Sequence, residues 1–212
     1  MINDSGELVP KPSFAFERRI EGPVCGVDEA GRGPLAGPVV AAAVIFHKPR
    51  APKGINDSKL LAPDIRENLF DAISATAAVG IGIASVEEID EINILQATFL
   101  AMRRAVAALP SLPRHVLIDG NLTPDLGCPA TAIVKGDGLS LSIAAASIIA
   151  KVTRDRIMRD LDLPHPGYGF AQHKGYGTPA HLDAIARLGP SPVHRRSFAP
   201  FRQGVLNLEA AD

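Results

Sequence analysis

Residues 24–34 read Val24-Cys25-Gly26-Val27-Asp28-Glu29-Ala30-Gly31-Arg32-Gly33-Pro34, and here an apolar segment runs directly into two adjacent carboxylates and a glycine turn. Burying such charge is costly unless it is neutralised. A hard divalent cation is the simplest partner for clustered carboxylate oxygens. The glycines remove side chains beside the carboxylates, so that another backbone can approach closely. Together these features indicate metal-dependent chemistry on a polymer backbone.

The composition indicates one main domain with an aliphatic core and an uneven charge distribution. Apolar residues make up 46% of the 212 residues, aromatic residues make up 5%, and tryptophan is absent; this balance favours a single alanine-rich core. The net charge is −1, but residues 151–202 carry nine Lys and Arg, four Asp and four His. This basic segment is either a footprint for phosphate or an ordinary solvated surface, and composition alone slightly favours the second.

Cysteine usage and the lack of long apolar segments indicate the cellular compartment in which the protein works. Cys25 and Cys128 form no C-x-x-C pair, which is typical of a reduced, intracellular protein. No apolar stretch approaches the length of a membrane span, and the polar residues 1–11 lack the apolar core of a signal peptide. We therefore expect a cytoplasmic protein without a membrane partner.

Apolar runs alternate with helical periodicity along the chain, which predicts an α/β fold. Predicted strands cover residues 24–27, 38–46, 80–84, 115–118 and 130–134, and predicted helices cover about 63–79, a short segment after a capping box at Ser85, 94–109, about 139–160 and 178–189. Because no helix separates the first two strands, we expect them to pair antiparallel in a mixed sheet flanked by helices. The predicted organisation is a loose lead-in at 1–20, the main α/β domain at 21–160, a basic helical extension at 161–202 and a flexible tail at 203–212.

Four acidic residues follow predicted strands and form the candidate catalytic and metal-binding set: Asp28, Glu29, Asp119 and Asp137. Ligands of open α/β sheets gather at the carboxyl ends of strands, so we expect these side chains to converge. Oxygen ligands without Cys or closely spaced His suit Mg²⁺ or Mn²⁺ and not Zn²⁺. Two such ions about 3.5–4 Å apart can activate a water and stabilise a leaving oxygen in phosphodiester hydrolysis.

For each carboxylate there is also an argument against a role in metal binding. Asp119 precedes Gly120-Asn121, which is a good turn sequence. Asp137 lies two residues before a predicted helix, where a role as N-cap is about as plausible as a metal role. In a regular strand Asp28 and Glu29 point to opposite faces of the sheet. Both can serve one site only if the chain bends at Glu29.

Glycine and cationic residues near these carboxylates are candidate contacts to a sugar or a phosphate. Gly31-Arg32-Gly33 is either a tight turn or a row of bare backbone amides. Lys59 follows a polar loop, and it either leads into the next helix or contacts a phosphate. Ser147 and Lys151 fall on one face of a helix of small residues. Close packing on the sheet explains the small residues of that face but explains Lys151 less well.

The C-terminal part of the chain adds aromatic and basic candidates. Residues 165–177 contain both tyrosines of the chain together with His, Lys and Gly. An aromatic ring beside cations is a stacking platform for a sugar or a base, although a purely structural loop is equally plausible from these residues alone. Arg195 belongs to the basic run 194–198, which is either a phosphate clamp or a basic surface.

The chain resembles the ribonuclease HII family in an ordered series of motifs. The matching segments are residues 26–39, 56–59, 117–121, 135–137, 142–155, 168–170 with 173–176, and 194–198. The resemblance implies an RNase H-like fold and endonucleolytic cleavage of RNA in RNA–DNA hybrids, with incision at single ribonucleotides embedded in duplex DNA. One position departs from the pattern, because the family often has a second lysine where this chain has Leu60.

The same resemblance implies a role for each candidate residue except Arg195. The four acidic residues would be the metal and catalytic carboxylates, and Gly31-Arg32-Gly33 would read the ribose 2′-OH, the group that separates RNA from DNA. Tyr168 would stack on the neighbouring deoxyribose, and Lys59, Ser147 and Lys151 would hold phosphates. In-line attack on the phosphate 5′ to a ribonucleotide would give a 3′-hydroxyl and a 5′-phosphate.

Two other functions fit parts of the sequence. A two-metal nuclease of the resolvase or integrase type would cut all-DNA substrates without regard to a 2′-OH. A non-catalytic nucleic-acid binder would use the basic segment, would bind without divalent metal, and would leave the strand-end carboxylates unexplained. Residues 203–208 loosely resemble peptides that dock on replication sliding clamps, although a frayed tail is the simpler interpretation. We expect a monomer.

Overall fold

The computed structural model describes residues 11–47 and 50–201, and at its centre lies a five-stranded sheet in the order β3-β2-β1-β4-β5. The strands are β1 Val24–Ala30, β2 Val39–Phe46, β3 Ala77–Ala84, β4 His115–Asp119 and β5 Ala130–Ile133. β1 pairs antiparallel with β2, as does β2 with β3, whereas β4 pairs parallel with both β1 and β5. The predicted mixed sheet is therefore confirmed, including its antiparallel first pair.

Helices cover both faces of this sheet. They are α1 Pro63–Thr76, α2 Val86–Ala107, α3 Leu141–Asp162, α4 Phe170–His173 and α5 Pro179–Leu188, with 3₁₀ turns at Glu17–Arg19, Ser58–Leu60 and Gly136–Gly138. α2 packs on one face of the sheet and α1 and α3 pack on the other, each side against its own cluster of buried aliphatic residues. Within the described ranges, no helix is long and apolar enough to cross a bilayer.

Glycines in the strands let the helices approach the sheet closely. A Cβ atom at Gly26 in β1 would overlap the backbone of Ser142 in α3, and a Cβ atom at Gly82 in β3 would overlap the carbonyl of Ala101 in α2. Apolar surface buried in these contacts contributes roughly 25 cal/mol per Å². The close packing of α3 on β1 also determines which residues of that helix lie beside the end of the strand. Ser147 is one of them.

Several element boundaries differ from the prediction, and two of the differences have a local reason. α1 ends at Thr76 and not near residue 79, because β3 pairs with β2 along its whole length. The two helices predicted after Ser85 and at 94–109 form one element with a break at Asn93, whose φ of 67° is left-handed. The predicted capping box is confirmed: the side chains of Ser85 and Glu88 each accept a hydrogen bond from the other's backbone N–H.

The described part of the predicted lead-in is bonded to the domain, so the prediction that it is loose is wrong there. Ser13 forms a parallel bridge with Ser140. Glu17 Oε1 accepts from Ser140 Oγ at 2.6 Å and from the Ser142 N–H at 3.0 Å. This segment therefore closes the N-terminus of α3. The predicted tail at 203–212 lies outside the described residues.

Candidate active site

Three of the four predicted carboxylates lie together at the C-terminal edge of the sheet. One oxygen each of Asp28, Asp119 and Asp137 lies within 4.8 Å of the other two. The parallel pairing of β1 with β4 matches Val27 with Ile118. It therefore brings the next residue of each strand, Asp28 and Asp119, to neighbouring positions. The convergence predicted from strand ends is confirmed for these three.

A turn after β5 places the third carboxylate, Asp137, beside the other two. Asp119 Oδ1 accepts a hydrogen bond from the Gly136 N–H at 2.7 Å, and Lys135 has a left-handed φ of 56° where the chain turns into the 3₁₀ segment. The N-cap of α3 is Ser140, whose side chain accepts from a backbone N–H in the first turn. The alternative interpretation of Asp137 as the helix N-cap is therefore wrong.

Glu29 lines the same cavity as Asp28 but is not one of the three clustered carboxylates. β1 continues through Ala30 and pairs with β2 at both acidic residues, so the bend expected at Glu29 is absent. Glu29 Oε1 accepts from Arg32 Nη1 at 3.3 Å. Its buried Oε2 has no hydrogen-bond partner in the described part of the chain. An unpartnered carboxylate oxygen beside an acidic cluster fits a site that takes up a cation.

The electrostatics of this cluster also favour uptake of positive charge. Burial, followed by the charges of Glu29 and Asp119, raises the pKa of Asp28 well above its usual range. Burial and then Asp119 raise the pKa of Asp137. Burial raises the pKa of Glu29 in spite of the opposing effect of Arg32. Buried carboxylates that repel one another are fully charged together only when a cation compensates them.

The acidic cluster is expected to make the metal-free protein less stable as the pH rises. Because the folded carboxyls have raised pKa values, the folded state holds protons that the unfolded chain has already released, at up to about 1.4 kcal/mol per pH unit and group. In the presence of chelator, the melting temperature of the wild type minus that of Asp28→Asn should decrease as the pH rises from about 4.5 toward neutrality. Added Mn²⁺ should reverse that fall. A relative melting temperature that rises over this range would contradict the assignment of raised pKa values.

A cavity of ≈ 210 Å³ is lined by two of the predicted carboxylates, Asp28 and Glu29, and by cations as well. Lys59 Nζ is 3.9 Å from Asp137 Oδ2, with a side chain that is 81% exposed. Burial alone would lower the pKa of Lys59, but the carboxylates of Asp57 and Asp137 raise it. Lys151 Nζ lies 2.7 Å from Asp155 Oδ1. Both predicted phosphate-binding lysines therefore line this cavity, each beside a carboxylate.

Ser147 lies in the cavity wall, but its hydroxyl bonds to the neighbouring loop. Ser147 Oγ donates to Ser58 Oγ at 2.7 Å and accepts from the Ser58 N–H at 3.4 Å, and Ser147 is only 4% exposed. These bonds fix the 3₁₀ turn that carries Lys59 against α3. The prediction that Ser147 holds a phosphate directly is corrected accordingly: its hydroxyl positions the loop of Lys59.

Two buried arginines, Arg154 and Arg195, hold the loop at residues 31–38, here called the glycine loop, through hydrogen bonds to its carbonyls. The guanidinium of Arg195 donates to four carbonyls of that loop, those of Gly31, Arg32, Gly37 and Pro38. The guanidinium of Arg154 donates to the carbonyls of Ala36, Pro38 and Lys174. Burial lowers the pKa of Arg195 to about 9 and that of Arg154 to about 10, so both remain cations at neutral pH.

This arrangement corrects the interpretation of Arg195 as a phosphate ligand. Arg195 is 0% exposed, and its donors are taken up by the loop carbonyls. Gly31 has a φ of +97°, and a Cβ atom there would overlap the side chain of Arg154, so the position requires glycine. Arg154 was missing from the predicted site. The signal that could have found it is its spacing of seven residues from Ser147, on the same face of α3.

Tyr168 lies in a separate aromatic group outside the carboxylate cavity. Its half-buried ring stacks on Phe170, with the centroids 5.3 Å apart and an interplanar angle of 2°. Its hydroxyl donates to the carbonyl of Gly189 at 2.7 Å. The ring is therefore held in one orientation. Of the predicted substrate contacts, the carboxylate cavity is lined by Gly31, Arg32, Gly33, Lys59, Ser147 and Lys151, and it is not lined by Tyr168 or Arg195.

Comparison with known proteins gives a consistent result over nearly the whole chain. The model of the family described as "Ribonuclease HII" matches residues 25–201. The ribonuclease HII of Rhizorhabdus wittichii is 63% identical over 192 residues, which cover 91% of this chain and 95% of that protein. The ribonuclease HII of Paramagnetospirillum magneticum is 59% identical over 199 residues, which cover 92% and 99%.

Two solved structures are also similar. The ribonuclease H2 of Pyrococcus horikoshii superposes with a TM-score of 0.71 at 26% identity, and the match covers 88% of this chain and 99% of that one. The ribonuclease HII in the PCNA complex of Archaeoglobus fulgidus gives a TM-score of 0.70 at 28% identity, with 82% and 93% covered.

Proposed function

The chain belongs to the ribonuclease HII family and is a ribonuclease H that acts on RNA–DNA hybrids. From that premise we propose its cleavage mechanism and a second class of substrate. The proposed reaction is endonucleolytic hydrolysis with two divalent ions, and it includes incision 5′ to single ribonucleotides in duplex DNA. The products are a 3′-hydroxyl and a 5′-phosphate. The observation that carries this proposal is the group of three carboxylates within 4.8 Å of one another, of which Asp28 lines one cavity together with Gly31 and Gly33.

Asp28, Asp119 and Asp137 would hold the divalent ions, with Glu29 beside them. The set contains only hard oxygen donors, which suits both Mg²⁺ and Mn²⁺. The unpartnered Oε2 of Glu29 supports the fit, because a further cation ligand is available at the cavity wall. When bound, the ions would supply activation of the attacking water and stabilisation of the leaving oxygen.

The glycine loop would recognise the ribose. Gly31 and Gly33 present backbone without side chains at the cavity, and the nearest atom to a Cβ added at Gly33 is a ring carbon of Tyr176 at 3.8 Å. The buried guanidinium of Arg195 fixes the carbonyls on the other side of this loop. A rigid backbone of this kind can hydrogen-bond to a 2′-OH at low entropic cost, and a deoxyribose offers no such group.

Cationic side chains around the cavity would guide the phosphates. Lys59 and Lys151 face the cavity, and the half-exposed Arg32 is paired only with Glu29 among the described residues. The carboxylates by themselves repel a polyanion, so bound metal is needed before the local field attracts the substrate. Binding of duplex should therefore weaken both with added salt and on removal of divalent ion.

A cleavage assay with three duplexes tests the proposal. With Mg²⁺ or Mn²⁺ the protein should nick a duplex that carries one ribonucleotide and should cut the RNA strand of a hybrid, and it should leave all-DNA duplex intact. Chelator should stop both reactions. Cleavage of all-DNA or branched DNA without regard to a 2′-OH would instead indicate a nuclease of the resolvase type. Tight binding without any cleavage would indicate a non-catalytic binder.

The substitution Tyr168→Ala should separate the two ribonucleotide substrates. If the ring stacks on the deoxyribose that follows the ribonucleotide, its loss should reduce incision at a single ribonucleotide by about tenfold or more relative to cleavage of long hybrids, since one such stack contributes about 1–3 kcal/mol. The matched variant Tyr168→Phe keeps the ring and loses only the bond to Gly189. Equal losses on both substrates in Tyr168→Ala would argue against a contact with deoxyribose.

A contact with a replication sliding clamp is a further part of the proposal. The related Archaeoglobus fulgidus protein is described in complex with PCNA, and residues 203–208 of this chain, which lie outside the described residues, loosely resemble clamp-docking peptides. Deletion of residues 203–212 should abolish clamp binding in a pull-down and leave cleavage of short duplexes unchanged. Unchanged clamp binding would dismiss this contact.

A further inference from the structure

A group of histidines surrounds Phe170 beneath the ring of Tyr168. Phe170 is fully buried, and the rings of four histidines lie within 6.2 Å of its centroid: His165, His173, His181 and His194. His173 and His181 stack at 4.3 Å. The cleavage chemistry proposed above uses none of these side chains, so their arrangement calls for a separate explanation.

The hydrogen bonds of His173 select one neutral tautomer. His173 Nδ1 accepts from the Gly175 N–H at 3.2 Å, so Nδ1 carries no proton. Its Nε2 lies 2.7 Å from the Tyr168 carbonyl, which can only accept, so Nε2 carries the proton. The ring therefore holds the backbone of Tyr168 as a neutral Nε2–H imidazole.

The hydrogen bonds of the other two histidines are equally selective. His194 Nδ1 accepts from the Ser191 N–H at 2.9 Å, so its Nε2–H donates to His181 Nε2 at 3.0 Å. His181 Nδ1–H in turn donates to the Tyr176 carbonyl at 2.9 Å. This pattern is satisfied only when both rings are neutral, with His194 protonated at Nε2 and His181 protonated at Nδ1. A proton added to either ring would turn an acceptor into a donor that faces an N–H group.

The same residues are bonded to the glycine loop. His194 forms an antiparallel bridge with Ala36, and the neighbouring Val193 carbonyl accepts from the Gly37 N–H at 2.9 Å. On the other side, the Gly175 carbonyl accepts from the Leu35 N–H at 2.8 Å. A change in the histidine bonds would therefore reach both the Tyr168 ring and the loop at residues 31–38.

We propose that the hydrogen-bonded pair His181 and His194, together with His173 stacked on His181, forms a neutral unit, here called the histidine lock, that positions Tyr168 and the glycine loop for substrate. The three are positioning residues, because they act through Tyr168 and the loop. The effect on substrate choice rests on the function proposed above. The tautomers themselves do not depend on that function.

Their surroundings keep two members of the lock, His181 and His194, neutral over a wide pH range. Burial, followed by the neighbouring His181, lowers the pKa of His194 to about 4, and burial also lowers the pKa of His181. The titratable or charged groups that face the pair are His165, His173, Tyr168, Tyr176 and Arg196. Because the pKa values of His181 and His194 are depressed in the folded state, this pair contributes stability above the ordinary value of 6.5 and loses it as the pH falls toward about 4.

Nitrogen-15 NMR of the histidine rings in the full-length wild type tests the tautomers directly. Near neutral pH we expect His173 and His194 as Nε2–H and His181 as Nδ1–H, with a scalar coupling between the two Nε2 atoms that share a proton. The signals of His181 and His194 should stay those of neutral rings well below 6.5, the ordinary pKa of histidine. An imidazolium, an Nε2–H tautomer at His181, or an absent coupling would overturn the lock.

A double-mutant cycle tests the positioning role. His181→Asn keeps a donor for the Tyr176 carbonyl but removes the acceptor for His194, and it should lower the preference for a single ribonucleotide over a long hybrid by about fivefold to tenfold. In the Tyr168→Ala background the same change should have little further effect on that preference. The matched control His165→Asn, at a ring without a hydrogen bond among the described residues, should leave the preference unchanged.

Additive effects of His181→Asn and Tyr168→Ala would overturn the positioning role, and so would an unchanged preference in His181→Asn. If the wild type does not cleave ribonucleotide substrates at all, the proposed function fails, and the nitrogen-15 result alone then decides whether the lock exists.

Discussion

Asp28→Asn is expected to abolish metal-dependent cleavage and at the same time to stabilise the metal-free protein. Asp28 is the most buried of the three clustered carboxylates, and burial together with Glu29 and Asp119 raises its pKa. The amide keeps an acceptor for the Glu29 N–H, which Asp28 Oδ1 binds at 2.7 Å, but it has no charge to offer a cation. We expect the rate on a single-ribonucleotide duplex to fall by on the order of 10³-fold or more, and the free energy of unfolding in chelator to rise by about 1 kcal/mol.

The matched control is Asp71→Asn, at an exposed carboxylate on α1. It should change neither the rate nor the melting temperature by a measurable amount. Retained cleavage in Asp28→Asn would defeat the catalytic assignment. Loss of cleavage with a lower melting temperature would mean that Asp28 has a structural role in the metal-free protein.

Arg195→Met is expected to destabilise the fold and to inactivate the enzyme, although Arg195 touches no substrate. The substitution leaves the carbonyls of Gly31, Arg32 and Gly37 without their main donor in a buried place. Leaving a buried polar network without its charged member costs about 3–5 kcal/mol. The glycine loop should then lose its rigid backbone, and the protein should lose its preference for a ribonucleotide before the rest of the fold melts.

The adjacent Arg196 provides the control for this prediction. Arg196 is exposed, and its side chain makes one hydrogen bond within residues 11–47 and 50–201, to the Pro190 carbonyl at 3.3 Å, so Arg196→Met should cost less than about 1 kcal/mol. Urea denaturation of both variants measures the difference, and hydrogen exchange of the loop amides locates it. Equal stability of Arg195→Met and Arg196→Met would show that the buried guanidinium does not hold the loop.

The sequence was sufficient to predict the mixed sheet and the convergence of three of the four carboxylates. Hydrophobic runs that end in Asp or Glu are local signals, and the parallel pairing of β1 with β4 turns two strand ends into neighbouring ligands. The placement of Asp137 depends on more than a strand end, because the turn that carries it is held by a hydrogen bond from the Gly136 N–H to Asp119, 17 residues away.

The roles of the two arginines in the run at 194–198 could not be read from sequence. Arg195 and Arg196 are chemically identical neighbours, and only the first meets carbonyls more than 150 residues earlier in the chain. The same reasoning applies to Ser147, whose hydroxyl is engaged by a loop 89 residues away. Burial of a polar side chain is decided by such distant partners, so local pattern alone overestimates how many polar residues face the substrate.

Calorimetric titration of Mn²⁺ into the chelator-treated protein tests the central claim most directly. The claim is that Asp28, Asp119 and Asp137 hold divalent cations in common. The wild type and the Asp71→Asn control should bind Mn²⁺ alike, and Asp28→Asn and Asp119→Asn should each bind it at least about tenfold more weakly. Mn²⁺ affinity that is the same in all four proteins would contradict the claim.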